Sequence, residues 1–134
     1  MKKKRFVFDS YAFLAFFQGE PGGRQVKEIL TLALEGEVVV YVSAINIGEI
    51  FYISARKFGF EKAQEIINDL KRLPVTIEEI DLEKVLEAAS IKAKFPLAYA
   101  DAFAAALAER LDAVLVTGDP EFKALKESIS ILWL

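Results

Sequence analysis

Four acidic residues, Asp9, Glu49, Asp101 and Asp119, are the side chains on which chemistry in this chain must turn. Asp101 is the most awkward of them. It lies in Leu97-Ala98-Tyr99-Ala100-Asp101-Ala102-Phe103-Ala104-Ala105-Ala106-Leu107-Ala108-Glu109, which reads as a helix buried on most sides. An ionised carboxylate in such a setting is costly unless it is paired, so Asp101 needs a cationic partner. Two plainer roles compete: capping the helix that starts after Pro96, or pointing to solvent from a first turn that favours negative charge. The chain contains no histidine and no cysteine. Ser-His-Asp triads, cysteine nucleophiles, Cys/His zinc sites and histidine general bases are therefore excluded. Catalysis is left to carboxylates, hydroxyls, Lys, Arg or a bound metal.

The elements that must position these acids follow from the apolar pattern. Residues 5–8 read as a strand, then Asp9-Ser10 and a helix over 11–17, stopped by Gly19 and the Pro21-Gly22-Gly23 loop. A second helix is expected over 25–34. Val38-Val39-Val40-Tyr41-Val42 is a continuous apolar run of the kind buried on both faces of a parallel sheet. Ser43 then caps a helix over 44–57 that carries Asn46 and Glu49, and a further helix spans 61–73. Residues 75–80 form the third strand, Asp81 caps a helix over 82–95, and Pro96 separates it from the Asp101 helix. Residues 113–116 form a fourth strand ending in Thr117-Gly118-Asp119; Pro120 opens a helical turn through Leu125, and 129–134 is a last strand.

Strands alternating with helices predict an α/β fold in which right-handed crossovers build a central parallel sheet covered on both faces. Ligands bind beyond the carboxyl ends of such strands. Asp9 follows the first strand and Asp119 the fourth, while Glu49 lies in the second turn of the helix after the second. Asp101 starts a helix that runs antiparallel to the strand it enters. All four acids are expected on one edge.

Carboxylates gathered so closely repel one another and take up protons unless a divalent cation intervenes. Ligation by carboxylates alone suits Mg²⁺ or Mn²⁺, which keep several waters and contact phosphate oxygens. Such an ion polarises a phosphodiester and lowers the pKa of water, and a second ion about 4 Å away also stabilises the leaving oxygen. Hydrolysis of a nucleic-acid backbone is the chemistry that follows.

The fragments Phe8-Asp9-Ser10, Ile47-Gly48-Glu49-Ile50, Tyr99-Ala100-Asp101-Ala102 and Thr117-Gly118-Asp119 before Phe122 resemble, in order and spacing, the PIN-domain family. The likeness is strongest to its small single-domain members, the VapC-type toxins of bacteria and archaea, and covers nearly the whole chain. It implies a three-layer α/β/α sandwich with strand order 3-2-1-4-5, one PIN-like nuclease domain over residues 1–134, and Mg²⁺- or Mn²⁺-dependent endoribonuclease activity. It makes Asp9, Glu49, Asp101 and Asp119 the catalytic, metal-binding acids and places Ser10, Asn46 and Thr117 as polar support. It also implies a homodimer and a small antitoxin partner that holds the nuclease inactive. Alternatives are a PIN nuclease of RNA processing or decay without an inhibitor, and a catalytically silent interaction module. A phosphatase of the haloacid dehalogenase type is disfavoured, because Tyr11 stands where its second acid is needed.

Charge and composition bound the rest. At 134 residues, 54% hydrophobic, with no linker-like stretch, the chain suits one domain with a real core. No apolar run reaches the roughly 20 residues of a membrane span, and there is no signal-like start, so a cytoplasmic protein is expected. Few Asn, Gln and Met beside many Glu and Lys match proteins of hot environments. A net charge of −3 argues against non-specific nucleic-acid binding, leaving RNA contacts to local cations. Lys2-Lys3-Lys4-Arg5 precedes the first strand, ~15 Å or more from Asp9, and reads as a solubilising start. Arg56 and Lys57, about 11 Å along the helix from Glu49, and Arg24 in the Gly-rich loop are better candidates for phosphate contacts. Phe13, Leu14, Phe16 and Phe17 read as core, and Tyr99 as packed.

Overall fold

The computed structural model describes residues 2–134. Five strands, β1 (Lys4–Phe8), β2 (Val38–Ser43), β3 (Thr76–Glu78), β4 (Val114–Thr117) and β5 (Ile131–Trp133), form one sheet in the order β3-β2-β1-β4-β5. Every pairing is parallel. The parallel sense is that expected from the alternation of strands and helices, and the order is the one the family resemblance implies.

Alternation along β1 explains the layers. Phe6 and Phe8 point to one face and Val7 to the other, as successive strand residues must. On the first face lie α1 (Ser10–Phe17), α2 (Gly23–Leu34), α3 (Ala44–Phe58) and α4 (Phe60–Lys71), contributing Phe13, Val26, Leu30, Ile50, Ile66 and Leu70 to the larger core. On the second lie α5 (Leu82–Lys94), α6 (Tyr99–Leu111) and a 3-10 turn (Pro120–Leu125), with Leu107, Phe122 and Leu125 packed on Val7 and Leu115. The result is the three-layer α/β/α arrangement.

Caps set the helix starts. Asp9 accepts from the Ala12 N–H, Ser43 from the Ile45 N–H and Asp81 from the Lys84 N–H. Alanine dominates α6 because it lies across the sheet with α5 outside it; every residue from Asp101 to Ala108 is buried. Some expected bounds shrink. The third strand pairs only over Thr76–Glu78 and the last only over Ile131–Trp133, because edge strands pair on one side alone. The helix expected to run to residue 73 ends at Lys71, and the Pro120 turn is 3-10 rather than α. The first-helix aromatics divide: Phe13 is fully buried, while Leu14, Phe16 and Phe17 are partly buried against the same core. No helix is long and apolar enough to cross a membrane among the described residues.

Candidate functional site

Sheet register brings the first two acids together. Phe8 pairs with Val116, so the residues that follow, Asp9 and Thr117, lie side by side where the strands end. The Thr117 hydroxyl donates to Asp9 Oδ2 and accepts from the Asp119 N–H at 3.0 Å; the Ala12 N–H donates to Asp9 Oδ1 at 2.9 Å. One threonine thus orients Asp9 and fixes the backbone of Asp119. Asp119 caps the 3-10 turn through the Glu121 N–H.

A second set of hydrogen bonds joins α1 to α3. Ser10 Oγ donates to Glu49 Oε1, in a very short contact, and lies 3.2 Å from the Asn46 carbonyl oxygen. Asn46 Nδ2 donates to Ser10 Oγ and to the Ala100 carbonyl oxygen, each at 3.3 Å, tying this set to the residue before Asp101. Asn46 Oδ1 is buried with no hydrogen-bond partner among the described residues. All three residues expected to give polar support, Ser10, Asn46 and Thr117, therefore contact an acid or its neighbouring backbone.

Asp101 is neither a cap nor a solvated side chain. The cap position of α6 is Ala98, without a side-chain cap, and Asp101 sits in the first turn at 6% exposure. It forms no ion pair among the described residues, and neither do Asp9, Glu49 or Asp119. Burial pushes the Asp101 carboxyl up to about 8, and Asp119, Asp9, Glu49 and Glu121 add repulsion. Burial likewise raises Asp9 to about 7, against the lowering by its Thr117 and Ala12 hydrogen bonds, with Asp119 and Glu49 pushing the same way as burial. The cationic partner expected for Asp101 is not a protein side chain in the described chain.

Glu121 was not anticipated from the sequence. Carboxylate oxygens of Asp101, Asp119 and Glu121 lie within 4.8 Å of one another, a spacing that suits a shared cation. Glu121 also accepts from the Ala98 N–H at 3.1 Å, bridging the 3-10 turn to the start of α6. Its signal in the sequence is Asp119-Pro120-Glu121, where proline in the first turn keeps the second acid on the same rim. Asp9 and Glu49 lie outside this closest trio, yet both are near enough to repel Asp101.

The proposed phosphate contacts part company. Lys57 lines a cleft that begins at Tyr11, beside the acids, and donates to Gln18 Oε1 at 3.0 Å. Arg56 turns onto the Tyr52 ring, 5.0 Å from its centre. Arg24 lies with Lys27 in a separate surface cavity on α2. At the opposite end of the sheet, Arg5 donates to the Leu111 carbonyl oxygen and Lys4 covers the Phe6 ring. Tyr99 packs on Phe103 at 5.1 Å between ring centres but is 44% exposed, so the packing expected for it covers only part of its surface.

The model of the PIN domain family matches residues 6–128. The chain is similar in structure to the DNA-bound VapBC of Salmonella typhimurium, with a TM-score of 0.75 and 17% identity over 96% of this chain and 97% of that one. It is also similar to VapBC2 of Rickettsia felis bound to a promoter DNA fragment, with a TM-score of 0.73 and 15% identity over 96% and 97% of the two chains. VapC20 of Mycobacterium tuberculosis, a toxin that cleaves the sarcin-ricin loop, has a TM-score of 0.70 and 18% identity over 89% of this chain and 93% of its own. At these identities the likeness is one of fold. No curated protein matches the sequence.

Proposed function

The chain belongs to the PIN-domain family, and from that premise we propose that it is a Mg²⁺- or Mn²⁺-dependent endoribonuclease, the toxin of a toxin–antitoxin pair. The observation that carries this reading is the set of acids at the carboxyl ends of β1 and β4, two of them buried and pushed toward neutrality, with no protein cation among the described residues to balance them. The donor set fits the metal: it is oxygen only, and its excess negative charge is what a hard divalent ion compensates. Asp101, Asp119 and Glu121 would supply the closest oxygens, with Asp9 and Glu49 completing the shell. When bound, the ion polarises a phosphodiester and lowers the pKa of water.

The chain's own contribution is orientation. Thr117 and the Ala12 N–H hold both oxygens of Asp9, each of which keeps a further lone pair for a ligand. Ser10 holds one oxygen of Glu49 and leaves the other free. The wall formed by α6 excludes water behind Asp101, which strengthens every charge interaction in front of it.

Partners follow from the apolar surface. Leu82, Leu86 and Tyr99 are exposed on α5 and the start of α6, and would be covered in a homodimer. Phe58 and Phe60, exposed at the junction of α3 and α4, would accept an apolar helix of an antitoxin. Incubation of the purified chain with RNA tests the central reading. Cleavage is expected with Mg²⁺ or Mn²⁺ and is abolished by EDTA; cleavage that persists in excess chelator, or none with either metal, overturns it.

A further inference from the structure

A cleft runs outward from Tyr11, two residues after Asp9, between two helical stripes. On one side its wall is Tyr11, Leu14 and Ala15 of α1 with Gln18 at the helix's C-cap; on α3 it is Ile53 and Lys57, continuing the line that Glu49 begins. With Glu20 at the rim, these side chains enclose about 250 Å³. The inner end is the Tyr11 ring, which lies against Gly118, between Thr117 and Asp119. A methyl group at residue 118 would come within 2.2 Å of the ring, so only glycine admits the aromatic here. The ring is nevertheless 46% exposed, next in sequence to Asp9-Ser10. The outer end is Lys57, about 12 Å along the helix from Glu49, whose ammonium donates to Gln18 Oε1 and lies over the Phe58 ring, 5.3 Å from its centre, with no ion pair among the described residues.

We propose that this cleft is a subsite for a nucleotide flanking the scissile bond of single-stranded RNA, its base stacked on Tyr11 and its backbone phosphate on Lys57, an assignment that rests on the nuclease reading above. The cleft starts at the Tyr11 ring, which lies against Gly118 beside Asp119, most of its lining is apolar, and its cation stands about two helical turns from Glu49, at the distance of a phosphate further along the chain. An aromatic platform takes an unstacked base of any sequence, which selects single strands and loops over duplex. An apolar side chain of a protein partner would fill the same volume but would bring no countercharge to Lys57, which forms no ion pair with Glu20 or any other acid among the described residues.

The test uses the full chain, a labelled eight-nucleotide single-stranded RNA and its duplex, with anisotropy in Ca²⁺ and initial rates in Mn²⁺. Tyr11→Leu, which keeps apolar contact with Gly118, is expected to weaken single-strand binding about tenfold and to place the kinetic loss on KM rather than kcat. Tyr11→Phe, which keeps the π-face, restores most of the affinity, and duplex binding does not respond to either change. Lys57→Gln, at an exposed position that does not threaten folding, lowers the salt dependence of binding by about one phosphate contact. Single-strand binding unmoved by Tyr11→Leu, or equally weak in Tyr11→Phe, overturns the proposal and leaves the cleft to a protein side chain. Binding that depends on Tyr11 without any cleavage by the wild type refutes the nuclease reading and keeps the subsite; cleavage indifferent to Tyr11→Leu does the reverse.

Discussion

Two acid-rich regions of this molecule are solved in opposite ways. On the outer side of α5 and α6, Glu78 and Glu87 meet cations: Arg110 donates to Glu78 at 2.7 Å and also to Glu87, and Lys84 reaches Glu78 at 2.9 Å. Burial works against the Glu78 charge, but hydrogen bonds from Lys84 and Arg110 more than offset it, and its pKa falls below the usual glutamate range. At the carboxyl ends of β1 and β4, burial is deeper, the carboxylates are more numerous, and no ion pair forms among the described residues; there Asp9 and Asp101 rise. Acidity alone does not distinguish a structural network from a site. What distinguishes them is whether the protein supplies the countercharge.

The largest expected effect breaks the uncompensated region. Asp119→Asn removes a carboxylate from the closest trio and keeps the cap on the 3-10 turn, because asparagine accepts from the Glu121 N–H equally well. RNA cleavage in Mn²⁺ should fall by at least about a thousandfold while the fold persists, measured as initial rates beside a circular dichroism spectrum.

The two regions also carry opposite pH dependences. Asp9 and Asp101 are raised above their unfolded value near 3.9, so the folded chain holds protons that the unfolded chain has released. Their contribution favours folding below that value and is lost as pH rises through about 7 for Asp9 and about 8 for Asp101. Glu78 has the reverse sign: its contribution is present above the unfolded value of 4.5 and is lost as pH falls through its lowered folded value. Metal-free protein should therefore melt lower at pH 8 than at pH 5, by roughly 5 °C or more, and saturating Mn²⁺ should remove most of that difference. Thermal melts in buffers from pH 4.5 to 8.5, with and without Mn²⁺, check both slopes.

Much of this is legible in the sequence. The apolar run of β2 and the strand-helix alternation fixed a parallel sheet, and a parallel sheet places whatever follows β1 and β4 on one edge. Asp9, Glu49, Asp101 and Asp119 could therefore be assembled from order alone. Glu121 could not, because its place beside Asp101 depends on the 3-10 turn after Pro120, and the local pattern suited an ordinary helix start equally well. The Arg110 network was hidden for a different reason. Its partners lie 23 and 32 residues away, on α5 and β3, and no periodicity reports which exposed charges meet across elements. Whether Asp101 caps, faces solvent or is buried also turned on one residue of phase at the start of α6, a quantity sequence patterns resolve poorly.

The smallest effect comes from the compensated region. Arg110→Ala leaves Glu78 with Lys84 alone and Glu87 without a partner, in a network still partly open to solvent. A loss of about 1 kcal/mol is expected, a few degrees in Tm, shrinking as salt rises, with RNA cleavage unchanged. A fall in cleavage comparable to that of Asp119→Asn would mean that the two regions are not independent.

The most direct test of the account compares wild type with Asp101→Asn by thermal melting at pH 7, each with and without Mn²⁺. The substitution keeps the shape of the side chain and removes a buried charge that only a metal balances. The account predicts that the metal-free variant melts above the metal-free wild type, and that Mn²⁺ stabilises the wild type far more than the variant. Equal metal-free stabilities together with an undiminished metal shift in the variant would contradict it, since Asp101 would then be neither strained by its neighbours nor part of the place where the ion binds.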